Sequence, residues 1–438
     1  MLEFILSHNV LISATLLILS YIFIATEKIP KVTIALLGGG LTILLGLVSQ
    51  TKLINGSINS DYFINFVDFN VIFLLVSMMI IVNITTKSGV FNWIANELLK
   101  ITRGYPSAIL AVLGIFTAIT SAFLDNVTTV ILIMPVTFFI AKNLGINPIP
   151  FLLTEVFSSN IGGTATLIGD PPNIIIGSAA GFTFMDFIKN LTPVIIVIML
   201  LVIILLALIF KKDLVTTKEK MQSVMNIDNS KTITDKNLMF RSLTVLALVI
   251  LGFITHDITH LETCIVAMLG ASVLLLFEKP TEILKNVEWN TIFFFIGLFI
   301  IIGGVEASGG IKLMAEWILN ITQGSQSAAS MLILWASGVI SGVIDNIPYT
   351  ATMSPMLVEI QKAMGVEYTI PLWWSLSLGA CLGGNLTIIG AAANVIVSEC
   401  AAKEGYKIEF LKFMKYGILI VLISLVISSA FIYLEFLK

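Results

Sequence analysis

The sequence predicts an all-helical, polytopic membrane protein made of two inverted-topology repeats. Each repeat has five spans plus one re-entrant helical hairpin, with discontinuous helices at the substrate site. Three observations carry this expectation. First, 57% of the 438 residues are hydrophobic and only 12% are charged, a balance that suits lipid-facing surfaces rather than water-facing ones. Second, apolar stretches near spanning length occur at 10–26, 33–49, 71–86, 105–124, 127–141, 150–168 and 191–210. They recur at 242–255, 261–277, 291–305, 328–344, 347–361, 370–390 and 413–436. Third, the polar residues among these stretches repeat at a constant offset.

That repeat is legible residue by residue. Val67-Asp68-Phe69-Asn70-Val71-Ile72-Phe73 returns as Val287-Glu288-Trp289-Asn290-Thr291-Ile292-Phe293, and Ser88-Gly89 returns as Ser308-Gly309. Asp125-Asn126 with Pro135 becomes Asp345-Asn346 with Pro355. One residue further out of step, Gly162-Gly163, Thr166-Leu167-Ile168-Gly169 and Asn173 become Gly383-Gly384, Thr387-Ile388-Ile389-Gly390 and Asn394. The chain therefore divides into a first repeat at 1–210, a linker at 211–241 carrying seven basic residues, and a second repeat at 242–438.

Lys and Arg set the orientation, since they concentrate on the cytoplasmic side. With a cytoplasmic linker and five crossings per half, 19 basic residues fall inside and five outside. Both termini then lie outside. Five is odd, so the halves are inverted relative to each other, as in many secondary transporters. The first apolar stretch lacks a basic leader and a small-residue cleavage site, and reads as a span.

The hairpins are expected at 105–141 and 328–361. Only Asp125-Asn126 separates the arms of the first, and about fifteen residues follow before Lys142. Crossing a bilayer takes roughly 20 helical residues, so a re-entrant loop with its tip near the midplane fits better. The amphipathic runs 92–100 and 314–322 suit helices lying along the membrane surface.

The most informative stretch is Ser158–Asn173, which sets three glycines, two prolines, Asp170, Asn160 and several hydroxyls inside an apolar region. Irregular backbone at membrane depth is tolerated only where protein or a water-filled cavity satisfies it. Paired Gly/Pro-interrupted segments point to a transporter's binding site. The broken helices are expected at 150–180 and 370–400. Candidate cation- and substrate-binding residues are Asp125, Asn126, Thr128, Asn160, Gly162, Gly163, Thr164, Thr166, Asp170 and Asn173, with Asp345, Asn346, Gly383, Gly384, Asn385, Thr387 and Asn394 from the second half. Carboxylate, amide, hydroxyl and freed carbonyl oxygens suit a small hard cation. Asp125, Asn126, Asp345 and Asn346 are thus Na⁺ candidates; Asp125 and Asp345 also suit the role of helix caps. Asp170 has no acidic counterpart, because Ala391-Ala392-Ala393 replaces Asp170-Pro171-Pro172. Glu155 and Glu306 are further acids within apolar stretches, whereas His256 and His260 read as a surface pair. No Lys or Arg falls in the middle of a span, so no fixed positive charge is expected at the site, and an anion would need co-bound cations.

Several classes are excluded. The net charge of −3 offers nucleic acid no basic surface. Cys264, Cys381 and Cys400 are too scattered for a disulfide framework or a zinc site. No ATP-binding P-loop occurs, so transport would draw on a gradient or a separate ATPase chain. An intramembrane aspartyl protease is disfavoured, since 167–170 reads Leu-Ile-Gly-Asp and lacks the first glycine of a Gly-x-Gly-Asp string. An ion channel stays open as an alternative.

The string Asn160–Asn173, with Leu124-Asp125-Asn126 and Gly383-Gly384-Asn385-Leu386-Thr387, resembles the ArsB/NhaD branch of the ion transporter superfamily, and within it the P-protein (pink-eyed dilution) type permeases. More distantly it is similar to the divalent anion/Na⁺ symporters, whose hairpin tips carry Ser-Asn-Thr where this chain has Asp125-Asn126-Val127 and Asp345-Asn346-Ile347. The resemblance implies a multi-pass protein of the plasma or inner membrane, not an enzyme, with no cofactor beyond Na⁺ or H⁺ as coupling ion. It implies a mobile transport domain working as an elevator in a homodimeric scaffold. The family spans Na⁺/H⁺ exchange, arsenite or antimonite efflux and anion transport, and the Asp at each tip makes cation or proton exchange the expected chemistry.

Overall fold

The computed structural model describes residues 8–26, 28–47, 66–225, 229 and 232–438, and all regular secondary structure among them is helical. The first half contains α1 (Asn9–Thr26), α2 (Lys31–Leu44), α3 (Phe69–Lys87), α4 (Val90–Ile101), α5 (Pro106–Ser121), α6 (Asn126–Leu144), α7 (Ile149–Gly163), α8 (Pro171–Ala180), α9 (Phe184–Asn190) and α10 (Thr192–Ile209). The linker carries α11 (Lys218–Met225). The second half contains α12 (Lys236–Ile254), α13 (Thr263–Leu275), α14 (Trp289–Ala307), α15 (Gly310–Ile321), α16 (Gln326–Ile340), α17 (Asn346–Met364), α18 (Val366–Gly383), α19 (Ala392–Lys403) and α20 (Phe410–Phe436). Among the described residues, seven helices are long and apolar enough to cross a membrane: α1, α3, α6, α10, α12, α14 and α20. The fold is that of a polytopic membrane protein.

Local chemistry explains where these helices begin and end. Asp68 caps α3 by accepting the Asn70 and Val71 N–H groups at 3.0 and 3.2 Å, and Asp235 caps α12 in the same way. Pro106 and Pro171 open α5 and α8, positions where a missing N–H costs nothing. The bounds of α3 to α6 reappear 220 residues later in α14 to α17, apart from one residue at the end of α16. One expectation needs correction. The second hairpin arm does not stop short of Lys142; α6 continues to Leu144, giving 19 residues. A cation in the last turn is favourable to a helix end, so Lys142 extends the helix instead of ending it. The length of α6 therefore does not separate a re-entrant arm from a span.

The halves interlock. α2 packs along α14, and α13 packs along α3, so each half lends a helix to the other. α5 lies against α7 as α16 lies against α18. α8 packs on α17, and α19 on α6, which brings each glycine-rich break to the other half's hairpin. α7 is buried from Pro150 to Gly163, and α18 from Leu372 to Gly383. These two helices form the centre. By contrast α1 and α12 expose Leu11, Ile18, Phe240 and Leu248, as lipid-facing helices do.

The linker does not hang free where it is described. Thr216 donates to the Leu144 carbonyl at 2.6 Å, and the Asn229 amide donates to Trp93 O and Glu97 Oε1, both at 2.9 Å. Thr234 donates to Ser88 O through its N–H at 3.0 Å and to Lys87 O through its hydroxyl at 2.7 Å. It thus straps the base of the first hairpin to α4. The strap runs so close to Gly89 that a Cβ there would lie 2.0 Å from Thr232 O, whereas at the corresponding Gly309 nothing among the described residues lies within 4 Å.

Candidate functional site

The two hairpin turns and the two breaks converge. Asp125 sits at the N-terminus of α6, where its Oδ1 accepts the Thr128 N–H at 2.8 Å and its Oδ2 the Thr128 hydroxyl at 2.6 Å. Asp345 sits at the N-terminus of α17, where its Oδ1 accepts the Ile347 N–H at 3.1 Å. Position 348 is proline, so the second tip lacks the hydroxyl that Thr128 supplies to the first. Its Oδ2 is instead held by the Lys31 ammonium at 2.8 Å.

Asp170 ends the first break and faces the second tip. The Asn346 amide donates to its two carboxylate oxygens at 3.3 and 3.5 Å. Asp125, Asn126, Asp170, Asp345 and Asn346 all line one cavity of about 490 Å³, joined by Lys31, Glu288 and Glu399. Leu75, Met79, Ile347 and Ile396 supply its apolar wall. The lining thus contains five carboxylates and one amine, and that amine is already paired. Among the described residues no three His, Cys, Asp or Glu side chains meet closely enough to hold one metal ion. The acids are spread around the cavity rather than gathered into a cage.

The other sequence candidates stand behind the wall. Thr128 serves Asp125, as above. Asn160 Nδ2 donates to Asn385 Oδ1 at 2.9 Å and to Asn394 Oδ1 at 3.0 Å. Asn173 Nδ2 donates to the Thr164 and Thr166 carbonyls at 3.1 and 2.8 Å, and its Oδ1 accepts from Ser377 and Cys381. Asn394 Nδ2 does the equivalent for Gly384 O and Thr387 O, both at 2.8 Å. Thr166 donates to Ala122 O, and Thr387 to Gly342 O at 2.6 Å. Asn173 and Asn394 thus satisfy carbonyls that the breaks free, and Thr166 and Thr387 satisfy carbonyls at the ends of α5 and α16, the accounting any buried backbone must meet.

Gly162, Gly163 and Gly383 let the breaks press on the hairpins, while Gly384 faces its own break at Cys381 and Gly390. A Cβ at Gly162 would lie 2.1 Å from Ala118 O, and one at Gly383 2.6 Å from Gly338 O. None of these four glycines, nor Asn160, Thr164, Thr166, Asn173, Asn385, Thr387 or Asn394, is part of the cavity lining. They build the frame that holds Asp170 and the tips in place.

Sequence reasoning missed Lys31, Glu288 and Glu399. The expectation that no fixed positive charge reaches the site is overturned by Lys31, which opens α2 at an interhelical turn and reaches inward to Asp345. Glu288 carried a usable signal, since it is the repeat partner of Asp68. Glu155, on α7, accepts from the Thr137 hydroxyl and is buried away from the cavity, with its Oε2 unpartnered. Glu306 is exposed at the end of α14, and His260 lies on the surface after α12.

An all-helical multi-pass fold with an acid-lined cavity where two helix breaks meet two hairpin turns suits a membrane transporter, and comparison with known proteins agrees. The chain belongs to the citrate transporter family (CitMHS), which matches residues 21–379. An uncharacterized transporter of Mycobacterium tuberculosis is 39% identical, covering 97% of this chain and 98% of that protein. A 46 kDa membrane protein of Mycobacterium leprae is also 39% identical, over 97% and 99%. The human P protein is 29% identical over 97% of this chain and 60% of its own length. Among solved structures, the YdaH transporter of Alcanivorax borkumensis aligns over 98% of both chains with a TM-score of 0.57 at 15% identity, a likeness of fold alone.

Proposed function

We propose that this chain is a secondary active transporter of the cell membrane that binds Na⁺ or H⁺ in the central cavity and uses that binding to move a small ionic solute. The observation that carries the reading is the cavity's charge: five carboxylates face one amine. Like charges lining one cavity repel more strongly there than in bulk water, because the effective dielectric is lower. The acids therefore need cations or protons to sit together in a bilayer. A citrate-like anion, the substrate class the family is named for, would enter with its charge covered by those cations.

The architecture that suits this function is a pair of inverted repeats, 1–210 and 242–438, around a cytoplasmic linker, with both termini outside. Each repeat supplies a re-entrant hairpin, α5–α6 or α16–α17. What supports re-entrance is that both tips reach one cavity and that α5 and α16 have only 16 and 15 residues, or about 24 Å of rise at 1.5 Å per residue. Movement of hairpins and breaks as an elevator, within a homodimer, follows from the resemblance to the ArsB/NhaD and divalent-anion branches.

The test is a flux panel with the purified chain in proteoliposomes: Na⁺, H⁺, citrate, other dicarboxylates and arsenite, each under imposed Na⁺ or pH gradients. The reading requires saturable, gradient-dependent flux that Asp125→Asn and Asp345→Asn reduce at least about tenfold. Single-channel currents would favour a channel. Flux indifferent to both substitutions would sink the site.

A further inference from the structure

Given that cation-binding reading, we infer that Lys31 is a tethered cation: its ammonium occupies Oδ2 of Asp345 and must be displaced by the cation that the second hairpin tip binds. The comparison of the two tips carries the inference. Both aspartates cap their helices through Oδ1, Asp125 on the N–H three residues on and Asp345 on the N–H two residues on, and the difference in kind is at Oδ2. Asp125 receives a hydroxyl from its own helix, whereas Asp345 receives a charged amine from α2, a helix of the other half.

Lys31 is also badly placed by local rules. It stands at the first residue of α2 with no acidic residue in that turn, and a cation at a helix N-terminus opposes the helix dipole. Where local preference and observed placement conflict, function is the usual reason. Asp345 and the ring of Phe294, 5.2 Å from the amine, are what hold it there. The side chain keeps 34% of its exposure against 8% for Asp345, so the lysine can withdraw into the open cavity while the carboxylate stays. Lys is a point charge on a flexible stem rather than a rigid fork. A monovalent ion replacing it leaves the charge at the tip unchanged, which makes the swap balanced. Release would also free the α17 tip from α2.

If the pair leaves Oδ2 open about one-fifth of the time, the apparent affinity for the cation is reduced about fivefold, because a site is only as available as its competent fraction. The experiment titrates Na⁺, Li⁺ and K⁺, at ionic strength held with choline, against the purified full chain and reads thermal unfolding, which a bound ion raises. Lys31→Gln should lower the half-saturating concentration about fivefold, while Lys31→Arg should not. In an Asp345→Asn background Lys31→Gln should shift it less than about twofold, since the contested oxygen is gone.

Unchanged or weaker binding in Lys31→Gln overturns the inference, and so does equal tightening in both backgrounds, which would reduce Lys31 to a distant charge. Lys31→Met, which keeps the stem against Phe294, replaces Lys31→Gln if the latter gives no cooperative melt. A parent chain that responds to none of the ions removes both this inference and the cation site. A parent that responds while Lys31→Gln matches it removes the Lys31 role alone.

Discussion

Asn173→Ala should loosen the centre of the molecule, and the size of the effect follows from its bonds. The side chain makes four: to Thr164 O at 3.1 Å, to Thr166 O at 2.8 Å, from Ser377 at 2.6 Å and from Cys381 at 3.4 Å. Hydrogen bonds between membrane helices average about 0.6 kcal/mol each, which sets a floor of about 2.4 kcal/mol. Leaving each of two carbonyls without a partner costs about 1–3 kcal/mol when that loss is counted instead as desolvation, a range that contains the same total. A loss of about 3 kcal/mol in local stability is therefore expected. Cys381 reports it directly, because its thiol is fully buried against Asn173. With Cys264 and Cys400 replaced by Ser, labelling of Cys381 by a small thiol reagent measures how often the break opens. At 1.4 kcal/mol per decade, Asn173→Ala should speed labelling about a hundredfold, and Thr216→Ala in the strap should not change it. Acceleration below about threefold would refute the claim that Asn173 pins the break.

Two further substitutions test close approach. Gly162→Ala should cost about 3 kcal/mol, the upper end for overpacking, because its Cβ meets backbone at Ala118; Gly40→Ala, which faces open space, should be neutral or slightly stabilising. Thermal unfolding of the purified chain separates the pair. Gly89→Ala and Gly309→Ala share the strain of a positive φ, 81° and 86°, but only the first collides with Thr232 O. Gly89→Ala should be the less stable by about 2 kcal/mol, and equal melting temperatures would show that the strap yields there.

Much of this was legible in the sequence because polar residues in an apolar chain have few reasons to exist. Asp125, Asp170 and Asp345 could be assigned to the site from their rarity, and the constant offset paired the two tips before any coordinates. The division of labour among the oxygen-bearing residues was not legible. Asn160, Asn173, Asn385 and Asn394 look like ligands in sequence, yet Asn173 and Asn394 donate to the carbonyls freed by each break, and Asn160 donates to Asn385 and Asn394, leaving only Asn160 Oδ1 and Asn385 Nδ2 unused among the described residues. Sequence shows that a freed carbonyl needs a partner without showing which amide reaches it. Lys31 was hidden for a different reason. A lysine in a turn between spans reads as an interfacial charge, and only the packing of α2 along α14 carries it to Asp345.

The strap also has a mechanical consequence. Two units nearly identical in helix order are stitched differently: one has its hairpin bonded by the linker, while no described residue crowds the matching turn at Gly309. The linker bonds α6 at Leu144 and the α3–α4 corner at Ser88 and Trp93, and no described linker residue bonds α16–α17 in the same way. The hairpin so tied is held by the very segment that joins the halves.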